Sequence, residues 1–379
     1  MINTPTPKPT HTPEPTHTPE PEGTQARYLG VKGYGSIKAA EVMSEGARVY
    51  RFMIGGSERL LCIANDGEYT IQNTLMEGYD YLLHIEDGVV TSAELIGELG
   101  ESAAHPVAYK PGRRTLKNLL ASAMQPVGTL YIYGGGWNWQ DDGAALLSRR
   151  IGRPRTWRDF FLSTDADYEY KNASAPAEST YPFGGWCEYY YAGLDCSGYL
   201  GWVIYNTLET ENGRPGYVFK STEFAKTLSE MGFGSYSADK LENGGIALRS
   251  GDIVSLKGHT YLILGRCEDG SLVILHSSPT PSRTGKKGGG VQLGAIDPNG
   301  NGSACMAREL ASRYTEKHFP EWAARYENRT MPYSTYIDFE RTGGAGFFRW
   351  SVGKGGALSD PDGYLGMSAD EILRDLFGE

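Results

Sequence analysis

A helix that is apolar on nearly every side has to be enclosed by the rest of its domain, and the run SGYLGWVIYNTL, directly after Cys196, reads as one. A helical pattern over 113–124 precedes it. Beyond it, SGDIVSLKGHTYLILGRCEDGSLVILHSSP gives three short β-rich runs, two of which flank a Glu-Asp-Gly turn. Helix, enclosed helix and then antiparallel strands is an α+β order. At 379 residues the chain exceeds what one hydrophobic core supports, so two folded units are expected.

The first unit is expected over 25–105. ARVYRFMI-GGSE-RLLCIA and YDYLLHI-EDG-VVTSAELI each set two β-rich runs around a strong hairpin turn. The segment is too short for a sandwich, which predicts a small barrel. Its histidine, His84, lies mid-strand and reads as structural. Residues 1–24 carry PTHTPE twice in tandem, and proline at this density favours an extended, solvated stalk. Such stalks separate folded domains from an anchor, so a signal or anchor segment is expected to have been removed, and a secreted or cell-surface location follows.

The second unit is expected over 106–379. It holds a long insertion at about 137–190, rich in Trp, Tyr, Gly and Asp, with a short helix predicted in DDGAALLSRRI. MSADEILRDLFG, with Ser368 as its cap and acids in the first turn, reads as a packed closing helix. A net charge of -10 with scattered Lys and Arg argues against nucleic acid or an anionic membrane surface as partner. No window approaches the roughly 18–20 apolar residues that cross a bilayer.

Five cysteines, at 62, 187, 196, 267 and 305, form no C-x-x-C pair, which argues against a zinc ribbon or a redox motif. Cys196 opens the enclosed helix. Thiolate is the nucleophilic form, and a helix N-terminus is expected to draw a thiol below its ordinary value of about 8.5. Ser197 and Gly198 are small enough to admit a carbonyl, and the first-turn amides suit an oxyanion. On this window alone, a buried structural cysteine is as good a reading.

Histidines on the following strands favour chemistry. His259 heads TYLILG and His276 ends SLVILH; pairing through RCEDGS places them near the same end of one hairpin, within a register step or two. In a Cys-His pair the imidazole accepts the thiol proton and a third group orients the ring, so His259 reads as base and His276 as orienter. A Cys-His-His zinc site is the rival, without an HExxH or C-x-x-C to support it.

GTLYIYGG at 128–135, LDCSGY at 194–199, and GHTYLILG followed by VILHSS resemble, in this order, the NlpC family of bacterial cell-wall cysteine peptidases. The resemblance covers about 106–280. It implies a papain-like α+β fold and hydrolysis of peptidoglycan stem peptides, commonly between γ-D-glutamate and the following diamino acid. Carried onto this chain, it implies Cys196 as nucleophile, His259 as base and His276 as orienting residue. It further implies Tyr131 and Asp195 as substrate-binding residues, Asp195 for a free N-terminal amine; Ser197 joins them as a substrate contact through its small side chain and first-turn amide. The small β-rich unit stands where relatives often carry bacterial SH3-like barrels. Leu130 replaces the family's usual proline, and the 137–190 insertion is longer than the family's link. No cofactor or metal is expected; the expected partners are stem peptides or muropeptides, acted on by a monomer. Two other readings stay open: a cell-wall-binding protein with an inactive peptidase-like domain, and an amidase or acyltransferase on the same fold.

Overall fold

A computed structural model describes residues 23–34, 48–64, 71, 75–96, 105–137, 146–170, 190–238, 248–297, 305–337, 339 and 346–379. The expected stalk lies outside the described residues, apart from its last two positions, as do 138–145 and 171–189 of the expected insertion.

The two hairpins read from the sequence build a closed barrel. Its strands are β1 (Thr24–Tyr34), β2 (Arg48–Ile54), β3 (Ser57–Ile63), β4 (Asp80–Glu86) and β5 (Val89–Leu95), in the order β1-β2-β3-β5-β4. Gly55 and Gly56 close the first hairpin with φ of 56° and 79°; Asp87 and Gly88 close the second with 50° and 81°. Positive φ at both central residues is the turn whose twist matches paired strands, which is why Gly-Gly and Asp-Gly stand there. Alternation sends Tyr28, Phe52, Leu83 and Val90 into the barrel core. His84 is exposed on the outer face of the barrel.

The remainder is a mixed helix and sheet unit. Helix α1 (Leu116–Met124) is capped by the Thr115 side chain, which accepts from the Asn118 amide. Helix α2 (Arg155–Ser163) follows a short 3-10 turn at Leu146–Arg149, and α3 (Cys196–Leu208) is the enclosed helix. All thirteen residues of α3 are buried. Each of Leu200, Val203 and Ile204 contributes about 1.5–3 kcal/mol by leaving water.

Past α4 (Phe224–Glu230) runs a seven-stranded sheet. Its strands are β6 (Gly234–Ser237), β7 (Ile253–Leu256), β8 (His259–Arg266), β9 (Leu272–Ser278), β10 (Gly290–Ile296), β11 (Thr330–Met331) and β12 (Gly346–Trp350). The order is β11-β10-β9-β8-β7-β12-β6. Neighbours are antiparallel except β10 and β11. One face, with Leu262, Leu264, Val273 and Leu275, joins the core around α1 and α3; the other, with Tyr261, Ile263 and Ile274, packs under Ile337 and Phe339. Helices α5 (Met306–His318), α6 (Pro320–Arg325) and the single turn α7 (Tyr333–Tyr336) lie between β10 and β12 in the chain. The closing helix α8 (Ala369–Phe377) carries a complete capping box between Ser368 and Glu371. Among the described residues, no helix is long and apolar enough to cross a membrane.

The described part of the expected insertion is ordered into both units. Gly152 and Asn206 join it to α3, the Gly152 amide donating to Asn206 Oδ1 at 2.8 Å. Helix α2 reaches the barrel: the Arg155 guanidinium lies 4.3 Å from the centre of the Tyr50 ring, and Arg158 pairs with Glu77 at 3.4 Å. Arg155 also pairs with Asp159 one turn on, both side chains being 2% exposed.

Candidate active site

The turn before α3 is held by backbone packed on backbone. The Leu194 amide donates to the Leu130 carbonyl at 3.2 Å and the Asp195 amide to that of Gly135 at 2.9 Å. A Cβ at Gly135 would lie 2.5 Å from the Gly193 carbonyl oxygen, and one at Gly198 would lie 2.1 Å from that of Gly135. Gly135 of the 128–135 motif and Gly198 of the Cys-Ser-Gly motif therefore have one shared physical reason: two chain segments meet where no side chain fits. This contact fixes where Cys196 emerges.

Asp195 caps the helix. Its Oδ1 accepts from the Gly198 amide at 2.7 Å and from the Ser197 hydroxyl at 2.9 Å. Burial raises its carboxyl to about 6 against the pull of these hydrogen bonds. Ser197 thus spends its hydroxyl on Asp195, leaving its backbone amide beside the thiol. Tyr131 is buried next to Asp195 and Cys196, and its phenol is pushed upward chiefly by burial.

The hairpin register explains the meeting of the histidines. Leu262 pairs with Leu275, so Tyr261 falls opposite His276 and His259 two residues further along, on the same face. His259 Nε2 lies 3.1 Å from His276 Nδ1, with ring centres 5.2 Å apart. His276 is fully buried, and its Nε2 has no hydrogen-bond partner among the described residues. On the neighbouring strand Gly294 makes room for that ring, since a Cβ there would sit 3.2 Å from Nε2. Burial lowers both imidazoles, His259 to about 4 and His276 well below the ordinary value.

Cys196 is 7% exposed. Burial, first, and then the Asp195 carboxylate raise its thiol to about 12, against the opposing pull of the Thr260, Ser197 and Cys196 amides. The thiol value lowered by the helix N-terminus, expected from the sequence, is therefore corrected: desolvation outweighs the first-turn amides. Thr260 directly follows His259, so the sulfur sits at the head of β8. Among the described residues no hydrogen bond joins Cys196 to His259. The structure brings the two imidazoles into contact and the thiol to the next residue's amide. Catalytic hydrogen bonds are often long before substrate closes the site.

Two residues of the site escaped the sequence reading. Tyr336 stands edge-on to both imidazoles, with ring centres 5.4 Å from His259 and 6.2 Å from His276, and its hydroxyl bonds Ser278 near the Cys196 sulfur. It comes from a single helical turn that only tertiary packing brings here. Tyr170, from the insertion, meets Tyr131 edge-on at 5.1 Å, while Tyr168 donates to the Tyr131 carbonyl at 2.7 Å. The insertion thus packs against Tyr131, beside Asp195 and Cys196.

Among the described residues no group of three or more His, Cys, Asp or Glu side chains is arranged to hold a metal ion. No family model, curated protein or solved structure matches this chain.

Proposed function

We propose that this chain is a papain-like cysteine peptidase of the NlpC type, acting outside the cytoplasm on peptidoglycan stem peptides at the bond after γ-D-glutamate. The observation that carries the reading is the hydrogen-bonded His259–His276 pair on the hairpin whose first strand also meets the thiol at the mouth of α3. Sequence resemblance supplies the substrate class.

In this reading, the resting pair is neutral. His259 Nε2 faces His276, so its Nδ1 is the nitrogen left to act as base. That role requires Nε2–H to donate to His276 Nδ1, which places the His276 proton on its buried Nε2. As the Cys196 sulfur attacks the amide carbon, its proton passes to His259 Nδ1 and the carbonyl oxygen takes the negative charge beside the first-turn amides of α3. The C–N bond then breaks, the amine leaves with the proton from His259, and a thioester remains. Water, giving a proton to His259, hydrolyses it and restores the thiol. Asp195 stands beside the thiol, where its carboxylate meets an N-terminal amine.

The test is digestion of muropeptides with mass analysis of the fragments. New termini after D-glutamate, absent with Cys196→Ala, are expected. Intact glycopeptide held by the protein would replace this reading with a binding function, and released lactyl-sugar would replace it with amidase chemistry.

A further inference from the structure

A second cavity, of about 320 Å³, lies between the barrel and the larger unit, and none of Cys196, His259 and His276 lines it. Its volume falls within the range of small-ligand sites. Tyr28 comes from the barrel, Gln125 from the end of α1, Arg153 and Trp157 from the insertion, and Trp322 from α6. Three of these are almost wholly buried and carry a buried polar atom without a hydrogen-bond partner among the described residues: Tyr28 Oη, Gln125 Oε1 and Trp157 Nε1. Buried polar atoms are paired in the great majority of cases, so three orphans around one cavity call for a partner.

The charges narrow what that partner is. Arg155 is committed to Asp159, and Arg158 to Glu77 and Glu321. Arg153 makes no ion pair among the described residues; its hydrogen bond is a 3.4 Å contact to the Gln125 carbonyl. A guanidinium with spare donors and two orphan donors favour a carboxylate, since Arg binds carboxylates in a paired geometry. The orphan acceptor of Gln125 suits a hydroxyl or amide N–H on the same molecule. Phe161 and Trp322, tilted against each other at 5.7 Å, give an apolar wall.

We infer that this cavity is a binding site for a small carboxylate bearing a hydroxyl or amide group, of amino-acid or monosaccharide size, separate from the thiol cleft. Its floor at Gly128 and Thr129 runs directly into Tyr131, so occupancy would brace the strand that lines the cleft.

Binding is measured on the full chain carrying Cys196→Ala, by calorimetry and thermal unfolding, so the result does not depend on turnover. The probes are N-acetylmuramic acid, D-lactate and D-alanyl-D-alanine, each beside its methyl ester; the first two and the third separate a sugar-acid source from a peptide one. At least one acid is expected to bind, with its ester and the Arg153→Gln variant each about tenfold to a hundredfold weaker, as loss of a charge-assisted hydrogen bond implies. Tyr28→Phe keeps the ring and removes an orphan. It is expected to raise the ligand-free Tm and weaken probe binding. Failure of every probe to bind at about 10 mM, binding indifferent to Arg153→Gln, or a lowered Tm in Tyr28→Phe, which marks a site filled by structural water only, would overturn the inference.

Discussion

Two buried polar pairs in this molecule are built on opposite principles. At the barrel contact, Arg155 and Asp159 are both charged, each neutralising the other, with the Tyr50 ring under the guanidinium. In the thiol site, no carboxylate among the described residues acts on His259 or His276, and burial favours the neutral form of both, as it favours the Cys196 thiol. One pair, one turn apart on a single helix, holds its charges and sets the Arg155 guanidinium against the barrel's Tyr50 ring. The other suppresses charge until a reaction calls for it, which is the arrangement expected of groups that exchange a proton.

The largest expected effect separates the two at once. Cys196→Ala removes the nucleophile and is expected to lower turnover of muropeptides by at least about 10⁴-fold, the scale seen when a covalent catalyst is deleted. Denaturant unfolding of the same variant should move little, since a small buried group is trimmed. Turnover surviving in it would place the nucleophile elsewhere.

At the barrel contact, Asp159→Ala removes the buried counter-charge of the Arg155 guanidinium and is expected to cost about 3–5 kcal/mol. Replacing both partners, Arg155→Met with Asp159→Leu, should recover most of that loss in urea or guanidinium titrations. Equal losses for the single and double variants would show that the loss does not come from an uncompensated charge. Neither variant touches the cleft, so kcat on folded protein should hold.

His276→Ala is expected to behave in the reverse way. It frees His259 to turn and lose its tautomer, lowering kcat by about ten- to a hundredfold, with KM unchanged. It also deletes a buried ring whose Nε2 has no partner, so part of the packing loss is offset. A fall in KM-dependent binding with kcat intact would make His276 a substrate contact and not an orienter.

How much of this contrast was legible in the chain follows from the range of the forces involved. Local geometry was readable: Gly55-Gly56 and Asp87-Gly88 demand their hairpins, Ser368 and Glu371 cap their helix, and α3 announces its burial by lacking a polar face. The meeting of His259 and His276 was also accessible, because a hairpin allows few registers and an even offset puts both on one face. Helix α2 was not read: its stripe of Trp157, Phe160 and Phe161 spans little more than one turn of a nine-residue helix, and polar Arg155, Thr156 and Asp159 are buried with it. Strand β12 inserts between β6 and β7 from about a hundred residues downstream, which no local pattern encodes. Tyr336 belongs to the same class. The state of the thiol was misjudged for a related reason: the helix end is a local feature, whereas the burial that overrides it is set by the whole fold.

Acid should distinguish the groups of the cleft by their order of titration. Asp195, raised to about 6, loses its charge as pH falls through that value. An N-terminal amine on the substrate is then bound less tightly, so kcat/KM is expected to fall about tenfold per pH unit below about 6. His259, lowered to about 4, stays neutral and able to accept a proton until pH nears 4, so kcat should hold to that point. Measured profiles of kcat and kcat/KM that fall together near 6 would remove Asp195 from its substrate role.

The smallest expected difference tests the suppression of charge itself. A resting thiolate–imidazolium pair gives alkylation a plateau that extends from neutral pH down to the lowered thiol value, and that plateau disappears when the base is deleted. With the thiol raised to about 12 and His259 lowered to about 4, the neutral form is favoured throughout that interval. Alkylation of Cys196 by iodoacetamide should therefore rise steadily with pH, without an acid plateau. Wild type and His259→Ala should agree within about twofold, because a base that holds no proton at rest lends the thiol little. Cys267, raised in the same direction to about 12 by its own burial, should label no more slowly on chemical grounds. Mass mapping of the labelled peptides between pH 5 and 8, a range bracketing the ordinary imidazole value, reads all three. A plateau at Cys196 that vanishes in His259→Ala would mean that the cleft, like the barrel contact, keeps a standing ion pair, and the contrast between the two regions would be lost.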